Sequence, residues 1–495
     1  MNIDWSRIHR IHFVGIKGIA MAALAVWAKE AGYRVSGSDV GEEFPSDDVL
    51  KAAKINILNG FEPLHIRKTK PDFVIFTGAH EGQENVEVKE AVARGIQVLP
   101  HGRALGEVMR GKRQISVAGS HGKTTTTAMI AAILKKAGID PSYAAGCGEI
   151  SGLGLPGHYG SGDWFVAEAD EYVTDPHHDL TPRFLWQVPE IYVVTNIDFD
   201  HPDVYGSLED VQEAFLKLQI QQKGLGVTIV NADDPASKEL AKSKTTDVVL
   251  YGFSPLADIR ITHVGFGLER TFFTLSDGGI DVGEFALKVP GKHNAANAAA
   301  AAACCRAMGI SWENIREGLL LFGGTKRRFE KVGETDGVCV YDDYAHHPAE
   351  IAATLAAARA WYPNGRIIAV FQPHTYSRTK SLFSDFAKSF RDADVILITD
   401  IYASAREHET LEVSSQMLVG EIAKHQPHAV YTKNYDGTFG YLTKTLHQHD
   451  VIIFMGAGDI YGWSRKFLKE FSNPTRPPSL RSGVSGQANK PIRPI

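Results

Sequence analysis

The stretch QISVAGSHGKTTTT, residues 114–127, decides the fold class. Gln114 to Ala118 is a short apolar run of strand type, Gly119 and Gly122 supply the turn, and a helical pattern runs from Lys123 to about Ala137. Strand, glycine turn, lysine and hydroxyl, then helix is the arrangement that cradles phosphates, because backbone N–H groups and a helix N-terminus attract an anion. On this reading Gly119, Ser120, His121, Gly122, Lys123, Thr124 and Thr125 line a nucleotide triphosphate site. Lys123 neutralises the β- and γ-phosphates and the Thr124 hydroxyl reaches Mg2+. The full P-loop pattern would place a glycine at position 117, where valine stands, so the loop is shortened; a plain glycine-rich turn before a helix is the alternative. With a phosphate as the partner of Lys123, Lys123→Ala is expected to remove turnover and leave the fold intact.

Acidic strand ends follow downstream. Trp164 to Ala167 is a buried-strand pattern running into Glu168, Asp170 and Glu171. A carboxylate there suits Mg2+, which prefers oxygen ligands, and Glu168 is the candidate because it comes first after the apolar run. A solvated acidic loop is the competing reading. His201, closing Thr195-Asn-Ile-Asp-Phe-Asp-His201 after another strand, is a second candidate ligand or a group orienting the γ-phosphate. Asp175-Pro-His-His-Asp179 reads as a surface loop. His346 and His347, taken as strand neighbours, face opposite ways and do not make a zinc half-site.

Strands alternate with helices on both sides of this region. Arg10 to Val14, Gly15, Gly18, a helix over 20–31 ended by Gly32, and a strand over 34–36 leading into Gly37-Ser38-Asp39 make a βαβ start. Further strands are expected over 191–195 and 227–230, with hairpins over 258–289, a helix over 294–308, and a third set over 338–341, 366–371, 395–399 and 451–455. The expectation is α/β with three domains: a Rossmann-like domain over 1–110, a central P-loop domain over 111–323 and a Rossmann-like C-terminal domain over 324–472. The reacting site is expected in the clefts between these domains, at strand ends. Residues 473–495, rich in Pro, Ser, Gly and basic side chains, read as a disordered tail.

Composition narrows the classes. The 495 residues are 44% hydrophobic and 22% charged, with net charge −6 and pI near 6.4, so a broad basic footprint for nucleic acid is absent. Four cysteines, two of them adjacent in an alanine-rich helical run, fit a reduced cytoplasmic protein. No secretory h-region is visible in MNIDWSRIHRIHFVG, and no run of ~18 apolar residues predicts a membrane span.

GSHGKTTTT, AEADE, NIDFDH, GKHNAANA, GGTKRRFE and YDDYAHHP occur in one order over roughly residues 8–470. In this the chain resembles the Mur ligase family, whose members use ATP to form peptide bonds on a UDP-N-acetylmuramic acid precursor of peptidoglycan. YDDYAHHPAEIAATL, VFQPHTYSRT, TDIYASARE and GAGDIY look like the branch that adds L-alanine first. EADEY and DFDHPDVYGSLEDVQEAF carry some likeness to the branch that adds a recycled cell-wall tripeptide.

The resemblance implies phosphate and Mg2+ binding at Lys123, Thr124, Glu168 and His201, and adenine held by Asn294 and Asn297. It implies that Arg328 and Asp343 approach the ATP phosphates and ribose. Tyr344, His346, His374 and Arg378 would line the pocket for carboxylate and amino acid, with Arg378 as a carboxylate clamp and His201 or His346 as base. Gly15, Gly18, Ser38 and Asp39 are the candidates for the UDP-sugar. The usual GIGGIGMSG turn reads here Gly15-Ile-Lys-Gly-Ile-Ala-Met-Ala-Ala23, with Lys17 and Ala20 at glycine positions, and Thr375 stands where arginine is usual. Some family members carry a carbamylated lysine, for which Lys217 is the candidate here. A P-loop ATPase driving motion and a non-catalytic nucleotide-sugar sensor are the readings from other classes.

Overall fold

A computed structural model describes residues 3–472 apart from 200, 202, 223, 225, 243–245, 268 and 404–411. The expected tail over 473–495 lies outside the described residues, as do parts of the NIDFDH and TDIYASARE stretches. Among the described residues four sheets carry the chain, three large ones and a two-stranded ribbon of Val173–Asp175 with Asp179–Pro182, in two compact units: the first runs to Lys326, and the second begins at Arg327 and takes in Phe266–Arg270 and Val289–Gly291.

In the first unit, five parallel strands lie in the order Asn56–Asn59, Arg34–Asp39, Arg10–Val14, Phe73–Phe76, Gln97–Pro100. The order reverses between Arg10–Val14 and Phe73–Phe76, which opens a crevice at their C-terminal ends. Strand Arg34–Asp39 is longer than expected, so Ser38 and Asp39 end the strand and do not follow it. Helix Ile19–Glu30 buries every residue from Met21 to Ala28. Its Trp27 lies 5.9 Å from Phe165, and its Ala23 carbonyl approaches Gly157 so closely that a Cβ there would sit 1.9 Å away. One apolar cluster thus joins residues of the first sheet to Ala144, Phe165 and Ala167 of the second.

The second sheet has ten strands, in the order Ile280–Leu287, Arg270–Asp277, Ile259–Gly267, Asp247–Gly252, Val227–Asn231, Ile191–Val194, Arg113–Ala118, Trp164–Ala169, Ser142–Ala144, Gly157–His158. Its middle is parallel and its strands are apolar without alternation, as strands covered on both faces must be. Helix Lys292–Ala307 is buried almost all round, which its run of alanines permits. Gly278 and Gly279, both at positive φ, turn the outer hairpin where Asp277 pairs with Ile280.

The second unit holds six strands, Glu330–Thr335, Val338–Asp343, Val451–Met455, Ile367–Phe371, Val395–Thr399 and Ala429–Lys433. The first is antiparallel to its neighbour and the rest are parallel.

Two local expectations are corrected. Asp175 is not in a surface loop: it ends strand Val173–Asp175, is 2% exposed, and accepts the Gln83 N–H at 2.9 Å, pinning the turn after strand Phe73–Phe76. His346 and His347 are not in a strand: His347 is the N-cap of helix Pro348–Trp361, and His346 precedes it.

Candidate active site

The phosphate-type loop leaves strand Arg113–Ala118 between Ile191–Val194 and Trp164–Ala169, and helix Lys123–Lys136 starts at Gly122, whose φ is +84°. The chain after Ile191–Val194 holds the loop open. Ser120 N–H donates to the Asn196 carbonyl (3.1 Å), His121 N–H to Asn196 Oδ1 (2.9 Å), and Asn196 Nδ2 and Thr195 Oγ1 both donate to the His121 carbonyl. Ser120 Oγ accepts from Asp198 N–H at 2.8 Å. Asn196 is therefore a scaffold of the loop that the motif did not single out. From the other side, a Cβ on Gly122 would meet Asn297 Oδ1 at 2.5 Å, so this glycine is what lets the two close. Asn294 and Asn297 lie one turn apart on the buried helix, with Asn297 Nδ2 donating to Asn294 Oδ1 at 3.3 Å.

Lys123 makes more than a phosphate contact possible. Its ammonium lies 3.0 and 3.1 Å from the two oxygens of Glu171, a carboxylate only 2% exposed, and also donates to the Gly119 carbonyl. Burial works against its charge, but Glu171, Asp170 and Glu168 outweigh that and hold the lysine above its usual range. Lys123 thus has a buried protein partner besides the phosphate expected of it, and Glu171 is a residue the sequence reading passed over in favour of Glu168.

Glu168 lies within strand Trp164–Ala169, opposite Val117 of the loop strand. It accepts the Gly146 N–H and a hydrogen bond from the Thr124 side chain, while burial raises its carboxyl above the usual carboxylate range. A threonine hydroxyl beside a carboxylate is a hard-oxygen pair of the kind that suits Mg2+, an ion that keeps several waters and takes few protein ligands. Among the described residues no group of three or more His, Cys, Asp and Glu forms a cage for an ion. His201 sits beside Glu171, with Nε2 3.9 Å from its carboxylate, and packs against the Tyr172 ring. Lys217 lies on the open side of helix Leu208–Ile220, paired at 3.0 Å with Glu213 and more than half exposed.

In the first sheet, the loops after Arg10–Val14, Arg34–Asp39 and Phe73–Phe76 converge at the crevice. Gly15 and Ile16 N–H groups donate to the Ser38 carbonyl, and a Cβ on Gly15 would overlap Thr77 at 2.3 Å. Asp39 accepts the Lys17 N–H at 2.7 Å and faces His80 at 3.6 Å; burial raises its carboxyl. The Ser38 hydroxyl donates to Glu87, a fully buried carboxylate also held by His12 and His65. Gly18 is the N-cap of helix Ile19–Glu30.

In the second unit, Asp343 ends its strand and accepts the Phe329 and Ala345 N–H groups, both at 2.7 Å. Arg328 pairs with Glu350 at 3.3 Å. His346 Nδ1 lies 3.2 Å from Glu350, and its ring meets those of Tyr344 and His374. His374 stacks on Tyr402, and Arg378 Nη1 donates to the His374 carbonyl at 3.1 Å. Tyr344, His346, His374 and Arg378 are thus brought into one cluster. Arg327 was missed: it is 6% exposed, donates to the Gly456 carbonyl at 2.6 Å and lies between the Tyr344 and Tyr461 rings, so it ties three motif stretches together.

Family models match the chain in the same order: "Mur ligase family, catalytic domain" at residues 10–113, "Mur ligase middle domain" at 117–305, and "Mur ligase, glutamate ligase domain" at 327–458. The chain belongs to the Mur ligase family. It is 41% identical over 452 residues, 91% of this chain and 97% of the relative, to the UDP-N-acetylmuramate–L-alanine ligase of Desulfitobacterium hafniense (strain Y51). It is 38% identical to the enzyme of that name from Geobacter sulfurreducens, over 94% of this chain and 98% of the relative. Among solved structures, the UDP-N-acetylmuramate–alanine ligase of Thermotoga maritima matches with TM-score 0.78 at 28% identity, covering 93% of this chain and 99% of that one. A murein peptide ligase from Psychrobacter arcticus matches with TM-score 0.70 at 25% identity, covering 94% and 100%. No helix among the described residues is long and apolar enough to cross a membrane.

Proposed function

We propose that this chain is an ATP-dependent ligase that joins L-alanine to the carboxylate of UDP-N-acetylmuramic acid in peptidoglycan synthesis, acting in the cytoplasm. The observation that carries this reading is near-end-to-end similarity, about two residues in five, to relatives bearing that activity in their names. The ATP γ-phosphoryl group passes to the substrate carboxylate, giving an acyl phosphate and ADP. The alanine amine then attacks the acyl carbon and inorganic phosphate leaves, so an amide forms without a protein nucleophile. Such transfer needs positioning and charge neutralisation above all.

The roles are those the family resemblance implies, supported where stated by the geometry. Residues 119–125 receive the phosphates, with Lys123 kept charged by the carboxylates around it. Thr124 and Glu168, with His201, would hold Mg2+, which neutralises phosphate charge. Asn294 and Asn297 take the adenine, and Arg328 and Asp343 serve the phosphates and ribose. Tyr344, His346, His374 and Arg378 bind carboxylate and amino acid. Each candidate base has a carboxylate neighbour, Glu171 at 3.9 Å from His201 and Glu350 at 3.2 Å from His346. Gly15, Gly18, Ser38 and Asp39 receive the UDP-sugar. Residues 1–110, 111–323 and 324–472 are the corresponding UDP-sugar, ATP and amino-acid domains.

The test is ADP release with UDP-N-acetylmuramic acid, Mg2+ and L-alanine, glycine, L-serine or the cell-wall tripeptide, with the product amide read by mass spectrometry. Stimulation by L-alanine is expected. Stimulation by the tripeptide alone would replace this reading with a recycling ligase, and turnover indifferent to acceptor and amine would make the chain a simple ATPase.

A further inference from the structure

Lys17 stands in the turn between strand Arg10–Val14 and helix Ile19–Glu30, where the family resemblance leads one to expect glycine. A lysine in such a turn would ordinarily extend into water. This one is only 9% exposed. Its ammonium donates to the Glu42 carbonyl at 2.6 Å, pairs with Asp47 at 3.3 Å and lies 5.7 Å from the centre of the Phe44 ring. Its backbone is engaged as well: the Lys17 N–H donates to Asp39, and the Lys17 carbonyl accepts from the buried Ser46 hydroxyl. Asp47 in turn accepts the Phe44 N–H at 2.7 Å, closing the start of helix Pro45–Ala52. All these partners belong to one segment, 39–47, which connects strand Arg34–Asp39 to helix Pro45–Ala52. A glycine at position 17 would keep the two backbone bonds and lose every contact made by the ammonium.

We propose that Lys17 is a positioning residue, which straps segment 40–47 over the Gly15–Gly18 turn and so pre-orders one wall of the nucleotide-sugar site around the uridine diphosphate. This rests on the reading of the N-terminal crevice as the UDP-sugar site. The segment begins at Asp39, which the crevice loops share through Lys17 and His80. A wall already in place spares the ligand the cost of ordering it, so the strap acts on affinity and leaves the chemical step alone.

The experiment uses the full chain with Lys17→Gly, Lys17→Met and Lys17→Arg. Lys17→Met keeps an aliphatic stem of similar length and drops the charge, whereas arginine can reach both the Glu42 carbonyl and Asp47. The glycine and methionine variants should raise KM for UDP-N-acetylmuramic acid about tenfold, the size of one charge-assisted hydrogen bond. Binding of UDP alone, measured calorimetrically, should weaken alike. Values of kcat should stay within about twofold, KM for ATP should not move, and arginine should restore most of the affinity. Hydrogen exchange across 40–47 should quicken in the glycine and methionine variants before ligand is added. A general folding defect would lower kcat and disturb ATP as well, and that outcome overturns the proposal. So does unchanged affinity in all three variants. The reading beneath it is tested on the unaltered protein: UDP-N-acetylmuramic acid should protect residues 10–20 from exchange, and absence of that protection would remove the N-terminal site itself, whatever the Lys17 variants do.

Discussion

Replacing Lys123 by methionine should cost stability as well as turnover. The ammonium is bonded to both oxygens of Glu171, at 3.0 and 3.1 Å, and the two side chains are 16% and 2% exposed. Removing one partner of a buried ion pair leaves the other charge without compensation, which costs about 3–5 kcal/mol. His201 stays 3.9 Å from Glu171 and Lys123 is not wholly enclosed, so the lower end, about 3 kcal/mol, is expected. For a domain of roughly 150–250 residues that lowers the melting temperature by about 6–12 °C. Glu171→Gln alone should cost less, about 1–2 kcal/mol, because Lys123 keeps the Gly119 and Ser120 carbonyls. The double variant Lys123→Met, Glu171→Gln should recover much of the loss of the first, since no buried charge is then stranded. Calorimetric melting of the four proteins without nucleotide, followed by ligation assays, closes the cycle. Should Lys123→Met lose turnover and yet melt with the parent, the lysine belongs to the phosphate alone and the argument from Glu171 fails.

Gly119 has φ +140°, and a Cβ there would sit 1.9 Å from Thr195 Oγ1, so Gly119→Ala should distort the loop and reduce ATP turnover at least about a hundredfold, read as ADP release. Glu168→Gln should raise the Mg2+ concentration for half-maximal activity about tenfold or more, because a neutral amide is a poorer ligand for a hard cation; an unchanged Mg2+ titration would remove Glu168 from the metal. Asp342 is fully buried, 3.4 Å from Arg327 Nε, and burial pushes its pKa up to about 7 from 3.8. The folded protein therefore binds the extra proton between those values, and the stability this gives is lost as pH rises through 7. Asp342→Asn should accordingly gain on the parent between pH 4 and 8, by up to about 4 kcal/mol, seen as urea midpoints that diverge with rising pH. Parallel midpoints would mean that Arg327 holds the carboxylate ionised throughout.

Much of the fold was legible because its strands are short apolar runs without alternation, as Ile191–Val194 and Val451–Met455 are, each closed by turn residues. Edge strands were harder. Glu330–Thr335 and Ala429–Lys433 are partly exposed and mixed in composition, so nothing in their pattern separates them from loops. Asp175 looked like part of a solvated histidine-rich loop because its partner, the Gln83 N–H, lies far away in sequence.

The phosphate-type loop, the order of the motifs and the α/β class were determined by sequence alone, because they rest on local backbone chemistry: glycine where φ is positive, a lysine and hydroxyl at a helix start, apolar runs at strand length. Which acid faces Lys123, what holds the loop open and where Lys17 goes were decided only by tertiary structure. Glu168 and Glu171 are three residues apart in one acidic stretch, yet one meets Thr124 and the other Lys123. Asn196 reaches the loop from a neighbouring strand end, and the partners of the Lys17 ammonium lie on the segment beyond the next strand. Pairings of this kind are set by strand order and register, quantities to which no single stretch of sequence has access.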